Sequence, residues 1–228
     1  MANKTFLEDI KTLYNKHKKK RKFPAHDNYL LRINKSGLLL DKVLEATNDS
    51  ETRTEARKNY IVNLVTATEL FCIETIIDHK GKWKNDGLTF LLNKKENLSL
   101  NDVFEILKIG KVTKEHLLIN YFSFQKVSTI DKVFSFLTGE TAGENSFKFL
   151  HNLTKMKMSE DGFGSPTTIG SAMPDWSKYF NQLFEKRHKI IHEDDNTPIK
   201  KSDFNKMVDA SDHFAWACFV RFELDERF

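Results

Sequence analysis

The sequence predicts an all-α protein: a helical bundle of one long central helix, several shorter ones and a helical insertion. Three observations carry this reading. Apolar residues recur at spacings of three and four along most of the chain, the period of a buried helix face. The 228 residues include only 9 glycines and 4 prolines, too few for the many turns of an all-β fold. The 19 phenylalanines fall largely at helical spacing, where each ring removes much apolar area from water.

The length suits a single domain, 1–228, with room for a sizeable core. The formal net charge of +4 permits a nucleic-acid partner without demanding one. Cys72 and Cys218 lie in apolar runs. They read as small buried hydrophobes of a reducing compartment, not as a disulfide or a catalytic thiol. The stretch Met1–Phe6 lacks the apolar core of a signal peptide, and no apolar run reads as long enough to span a bilayer. The expected location is therefore the cytoplasm, with no membrane partner.

Residues 5–20 predict a first helix. Thr5 and Glu8 have capping-box spacing, and Phe6, Ile10, Leu13 and Tyr14 form one stripe. It runs into a basic tract, His17 through Lys22. Lys18, Lys19, Lys20, Arg21 and Lys22 are either a solvated helix end or a patch that contacts phosphate. Residues 27–47 predict a second helix through Leu30, Leu31, Leu38, Leu39, Leu40, Val43 and Leu44. Gly37 weakens it without breaking it. Residues 51–80 are the longest helical pattern, with Ile61, Leu64, Val65, Cys72, Ile73 and Ile76 on the buried side. Glu69 falls on that same apolar face, four after Val65 and four before Ile73. A carboxylate there must find a partner, take up a proton or reach a wet cleft.

Residues 81–172 read as a helical insertion of shorter segments. Ser99, Thr113 and Ser128 are candidate caps, Ser128 with Asp131 at capping-box spacing, and a further helix is expected over 144–157. Residues 158–174, rich in glycine and proline, read as a flexible loop or a mobile lid. Asp175 is placed to cap the next helix, which carries Trp176, Phe180, Leu183 and Phe184. Ser202 is placed to cap the last helix, striped by Phe204, Met207, Val208, Ser211, Ala215, Cys218, Phe219 and Phe222.

Between these two helices lies Arg187-His188-Lys189-Ile190-Ile191-His192. Arg187 shares a stripe with Phe180, Leu183, Ile190 and Ile191, so a guanidinium interrupts an apolar face. Buried, it needs a carboxylate, carbonyls or a phosphate. A pair with Glu69 is the closed solution, and a phosphodiester is the functional one. Arg187 and His192 are five apart, about 140° around an ideal helix. They converge only if the helix ends between them or if two subunits combine their sites. A histidine exchanges protons near neutral pH and an arginine stabilises phosphate charge, two elements of metal-free RNA cleavage. A competing reading pairs His188 and His192, at i and i+4, in a zinc site with Glu193 or Asp195.

Arg187 through His192, the flanking helix patterns and the all-helical chain resemble the HEPN superfamily in its R-x4-H ribonuclease type, including RiboL-PSP-HEPN-like domains. Those ribonucleases carry an Arg and a His a few residues apart, with a polar residue after the Arg and aliphatics before the His. Here His188, Ile190 and Ile191 take those places, and Glu69 resembles the acidic position of the long helix. The likeness covers 51–80 and 176–222. It implies a HEPN-type bundle and a homodimer whose two Arg/His pairs form one composite cleft. It further implies a metal-independent endoribonuclease leaving a 2′,3′-cyclic phosphate, with no cofactor. Arg187 would bind the scissile phosphate, His192 would act as general acid or base, His188 would orient Arg187 or contact RNA, and Glu69 would hold Arg187. Lys186 and Lys189 join the basic tract as expected RNA contacts. Such proteins are often bacterial toxins or anti-phage effectors, restrained by an antitoxin or switched on by a partner protein. The alternative is a non-catalytic helical module that binds RNA or protein in such a system.

Overall fold

The computed structural model describes residues 24–79, 82–85, 115, 118–119, 122–140, 147–151, 154–159, 162–168, 174–193 and 197–224. The expected helix at 5–20, the basic tract at 17–22 and the Ser99-capped segment lie outside them.

The described chain is mostly helical and is built around two antiparallel hairpins. The first joins α1 (Ala25–Ala46) to α2 (Ser50–Asp78). The Asp49 carboxylate accepts from the Thr52 amide at 2.7 Å, satisfying one of the free N–H groups at the start of α2. Arg53 donates back to the Leu44 carbonyl at 2.8 Å and so ties the two helices at their junction. Further along, the Arg32 guanidinium forks onto the almost fully buried Glu74 carboxylate at 2.6 and 3.1 Å. That is the bidentate geometry in which an arginine–carboxylate pair is strongest.

The second hairpin joins α5 (Trp176–His192) to α6 (Lys201–Phe219). Between them lie α3 (Val127–Thr138), the short α4 (Lys148–His151) and a pair of strands. The hairpins meet at Phe214, whose ring stacks on Phe180 at 4.7 Å and meets Phe71 edge-on at 6.2 Å. Beside these rings a buried polar knot crosses between the hairpins. The Tyr29 hydroxyl lies 2.9 Å from Ser211 Oγ and 2.9 Å from Asp212 Oδ1, and Thr68 Oγ1 lies 3.0 Å from Ser211 Oγ. After α6 a π-turn, Val220–Leu224, carries Phe222 between Trp83 at 5.2 Å and Phe134 at 5.6 Å. One hydrophobic cluster therefore runs from Ala25 to Phe222. The expected buried side of α2 is seen, with Ile73 alone only half-buried.

Several local expectations are corrected. The helix expected over 144–157 is cut to Lys148–His151, and the expected loop at 158–174 contains a strand. Thr154–Ser159 and Gly162–Thr168 pair antiparallel, Thr154 opposite Thr168 and Ser159 opposite Gly162. The register shifts between Met156 and Met158, next to the Met156–Pro166 pair. Proline has no N–H for a ladder and is tolerated at such irregularities. In sequence, the Lys/Met alternation of 155–158 and the Asp161-Gly162 dipeptide are strand and hairpin signals; helical aromatic spacing at 147–150 hid them.

Three expected caps also fail, while Thr5, Ser99 and Thr113 lie outside the described residues. Asp175 occupies the N-cap of α5 but makes no side-chain cap bond. The N-cap of α6 is Lys200, which leaves Ser202 inside the first turn. Lys126 precedes α3, and Asp131 is buried, accepting from Ser135 Oγ at 3.0 Å rather than serving a box with Ser128.

No apolar run was expected to be long enough for a bilayer, yet α2 contains a window apolar enough by length and composition. That window is 61% buried inside the protein, as a central core helix must be.

Candidate functional site

Helix α5 carries the Arg/His motif because its two ends meet different surroundings. Its first half is anchored by Trp176, Phe180, Leu183 and Phe184, all buried in the core, where Trp176 and Phe180 meet Phe147 ahead of α4 and Phe214 of α6. Its second half rises out of the core: Ile190 is half-buried and Ile191 is 44% exposed. Arg187 sits at the transition, half-buried, close enough for its charge to act on Glu69 of α2.

Burial raises the Glu69 carboxyl above its ordinary range, and the nearby Arg187 charge only partly offsets that. The expected closed pair is not formed: Glu69 Oε1 and Arg187 Nε are each buried without a hydrogen-bond partner. The Arg187 charge acts on Glu69 without a closed ion pair between them. A buried polar atom left unpaired costs about 1–3 kcal/mol, so the arrangement is poor for stability. It is well suited to an anion whose oxygens would take up the guanidinium.

Helix α5 stays α-helical through His192, and Glu193 is its C-cap. The helix does not end between Arg187 and His192, so within one chain the two point about 140° apart. His192 instead joins His188. Both are exposed, with ring centroids 4.7 Å apart. They line a groove of about 600 Å³ between α5 and the start of α3, together with Ser123, Gln125, Lys126, Ser128, Asn181 and Lys189. Of these neighbours the sequence pointed only to Lys189 as a site residue. Lys126 carries no local signal, because its place beside the histidines depends on how α3 packs on α5, whereas Asn181, seven before His188 on the same helix, shares that face by helical spacing.

A second groove, of about 720 Å³, lies on the other side of the motif and is lined by Lys178, Lys186, Lys189 and Lys200 among others. Lys186 Nζ reaches the Thr197 carbonyl there at 3.4 Å. The expected RNA contacts Lys186 and Lys189 thus border the grooves, Lys189 both of them, while Lys18, Lys19, Lys20, Arg21 and Lys22 lie outside the described residues.

Among the described residues no three His, Cys, Asp or Glu side chains are placed to hold a metal ion, which leaves the His188/His192 pair without a third ligand there. Cys72 and Cys218 are free and fully buried, and burial pushes both thiols up and away from the thiolate form that a nucleophile needs. The second half of α5 thus carries a half-buried guanidinium, two exposed imidazoles and flanking lysines, with Arg187 lining neither groove. No family model, no curated protein and no solved structure matches this chain.

Proposed function

We propose that the chain is a metal-independent endoribonuclease that works as a homodimer, as a toxin or anti-phage effector under the control of a partner. The observation that carries this reading is the Arg187 guanidinium, half-buried beside Glu69 with Nε unpaired, on the helix that exposes His188 and His192. The 140° between Arg187 and His192 makes a composite cleft the natural arrangement. A phosphate held by Arg187 of one protomer is served by the partner subunit's His192. The exposed Ile191 beside His192 is a suitable apolar contact for such a dimer.

In that cleft the unprotonated imidazole takes the proton of a ribose 2′-hydroxyl. The freed oxygen attacks the adjacent phosphorus, and Arg187 stabilises the charge that builds on the non-bridging oxygens. The P–O5′ bond breaks, a protonated imidazole donates to the leaving 5′-oxygen, and the products are a 2′,3′-cyclic phosphate and a 5′-hydroxyl. Lys186 and Lys189, beside the grooves, hold flanking phosphates, and Glu69 keeps Arg187 in register.

The experiment is cleavage of a labelled RNA by purified protein in EDTA. The wild type is expected to cut, leaving cyclic-phosphate ends. Arg187→Ala and His192→Ala are each expected to lose at least about 100-fold in rate, the ordinary scale for removing one acid–base or charge-stabilising group, with helicity unchanged. Cleavage that requires added divalent metal overturns the reading. RNA binding without any cleavage identifies the chain as a non-catalytic RNA-binding module instead.

A further inference from the structure

Helix α1 packs one side on α2 and leaves large apolar side chains on the other. Leu31, Leu38 and Leu39 are 54%, 65% and 63% exposed. Scattered single leucines on a surface need no explanation, but these share one helix face. Leu31 and Leu38 are seven apart, within about 20° of each other around the helix. Asp27 lies four before Leu31 and Lys42 four after Leu38, both exposed and near the same line.

The stripe Asp27–Leu31–Leu38–Lys42 is therefore a palindrome in spacing, with opposite charges at its two ends. An isologous interface needs this property, because residue i must meet residue j while j meets i. Two copies of α1 laid antiparallel place each Leu31 opposite the other Leu38 and each Asp27 opposite the other Lys42. Leu39 closes one edge of the seam, and Lys35 lies along it with its stem on the leucines and its charge in water. We infer that this face is a self-association surface whose occupant is α1 of a second copy of the chain.

The surface is distinct from the cleft on α5. Glu74 faces α1 through Arg32, whereas Glu69 faces α5 through Arg187. Five positions apart on α2, these carboxylates point about 140° from each other. A chain with both contacts forms assemblies larger than a dimer. The α1 contact stands on its own residues whether or not the chain cleaves RNA. The stripe is about 22 Å long, from its 15 residue steps, which makes a small interface and a concentration-dependent association.

The test is sedimentation of the full chain over a dilution series. Leu31→Glu with Leu38→Glu is expected to raise the dissociation constant of one association step at least about tenfold, or about 1.4 kcal/mol. Asp27→Lys alone and Lys42→Asp alone are each expected to weaken it, and Asp27→Lys combined with Lys42→Asp to restore it. These charge variants lie on the solvent face, so they test the pairing even where the double leucine variant fails to fold. Ile191→Glu is expected to leave this step in place. A wild type that stays monomeric up to its solubility limit overturns the inference. So does a double charge variant no better than either single one, or a monomer whose leucine face binds lipid vesicles instead.

Discussion

Glu69 shows how a residue can be unfavourable for the fold and still belong there. Its carboxyl is raised by burial more than it is lowered by Arg187. A group whose folded pKa lies above its unfolded value favours the native state below the ordinary glutamate range and loses that contribution as pH rises through the folded value. Thermal melts from about pH 4 to neutrality should therefore show wild-type stability falling relative to Glu69→Gln, with the variant the more stable at neutral pH. On the proposed ribonuclease reading, cleavage should move the other way: Gln leaves Arg187 without its counter-charge, and the rate should drop. A variant that gains neither stability nor loses activity would show that Glu69 does not act on Arg187. Tyr29 is the opposite case. Its hydroxyl is fully buried and bonds both Ser211 and Asp212. Tyr29→Phe should destabilise by about 1–3 kcal/mol in urea unfolding, since it leaves buried partners unpaired.

At the scale of elements, periodic helices were legible to within two residues at either end, and their side-chain caps were not. The pattern at 27–47 became Ala25–Ala46, and that at 51–80 became Ser50–Asp78. A buried stripe repeated over many turns outweighs local preferences. The caps read from single residues failed at Asp175, Ser202 and the Ser128/Asp131 pair, because each of these side chains has other bonds or positions open to it. The strand pair at 154–168 was missed because a short Lys/Met alternation is weak beside aromatic helical spacing. Gly37 lies inside α1 without breaking it. A Cβ added there would meet only Tyr60, at an ordinary 3.9 Å. Gly37→Ala should therefore stabilise the protein by about 0.5–1 kcal/mol, measured by denaturant unfolding.

For the molecule as a whole, the two hairpins are joined by the aromatic junction at Phe214, the polar knot at Ser211, and further ring contacts such as Tyr60–Phe204 and His26–Phe219. Phe214 touches Phe71, Phe147, Trp176 and Phe180, so it joins α2, the chain before α4, α5 and its own helix. Phe214→Ala should cost about 3–5 kcal/mol and lower the unfolding midpoint in a single cooperative transition, as expected for removal of a core ring. Two separate transitions would show that the hairpins fold independently.

The sequence by itself determined that the chain is mostly helical, which face of α2 is buried, and that Arg187 and Glu69 are charged groups on apolar stripes. Those follow from period and residue chemistry, which are local. It did not foresee that Leu31, Leu38, Leu39 and Ile191 are exposed. Only the tertiary structure decided that Arg187 acts on Glu69 without a closed bond, because their separation depends on how α5 crosses α2. It likewise decided that His188 and His192 open onto a groove shared with Lys126 and Asn181, and that α5 stays helical to His192. Each of these depends on distances between elements far apart in the chain, which no local pattern specifies.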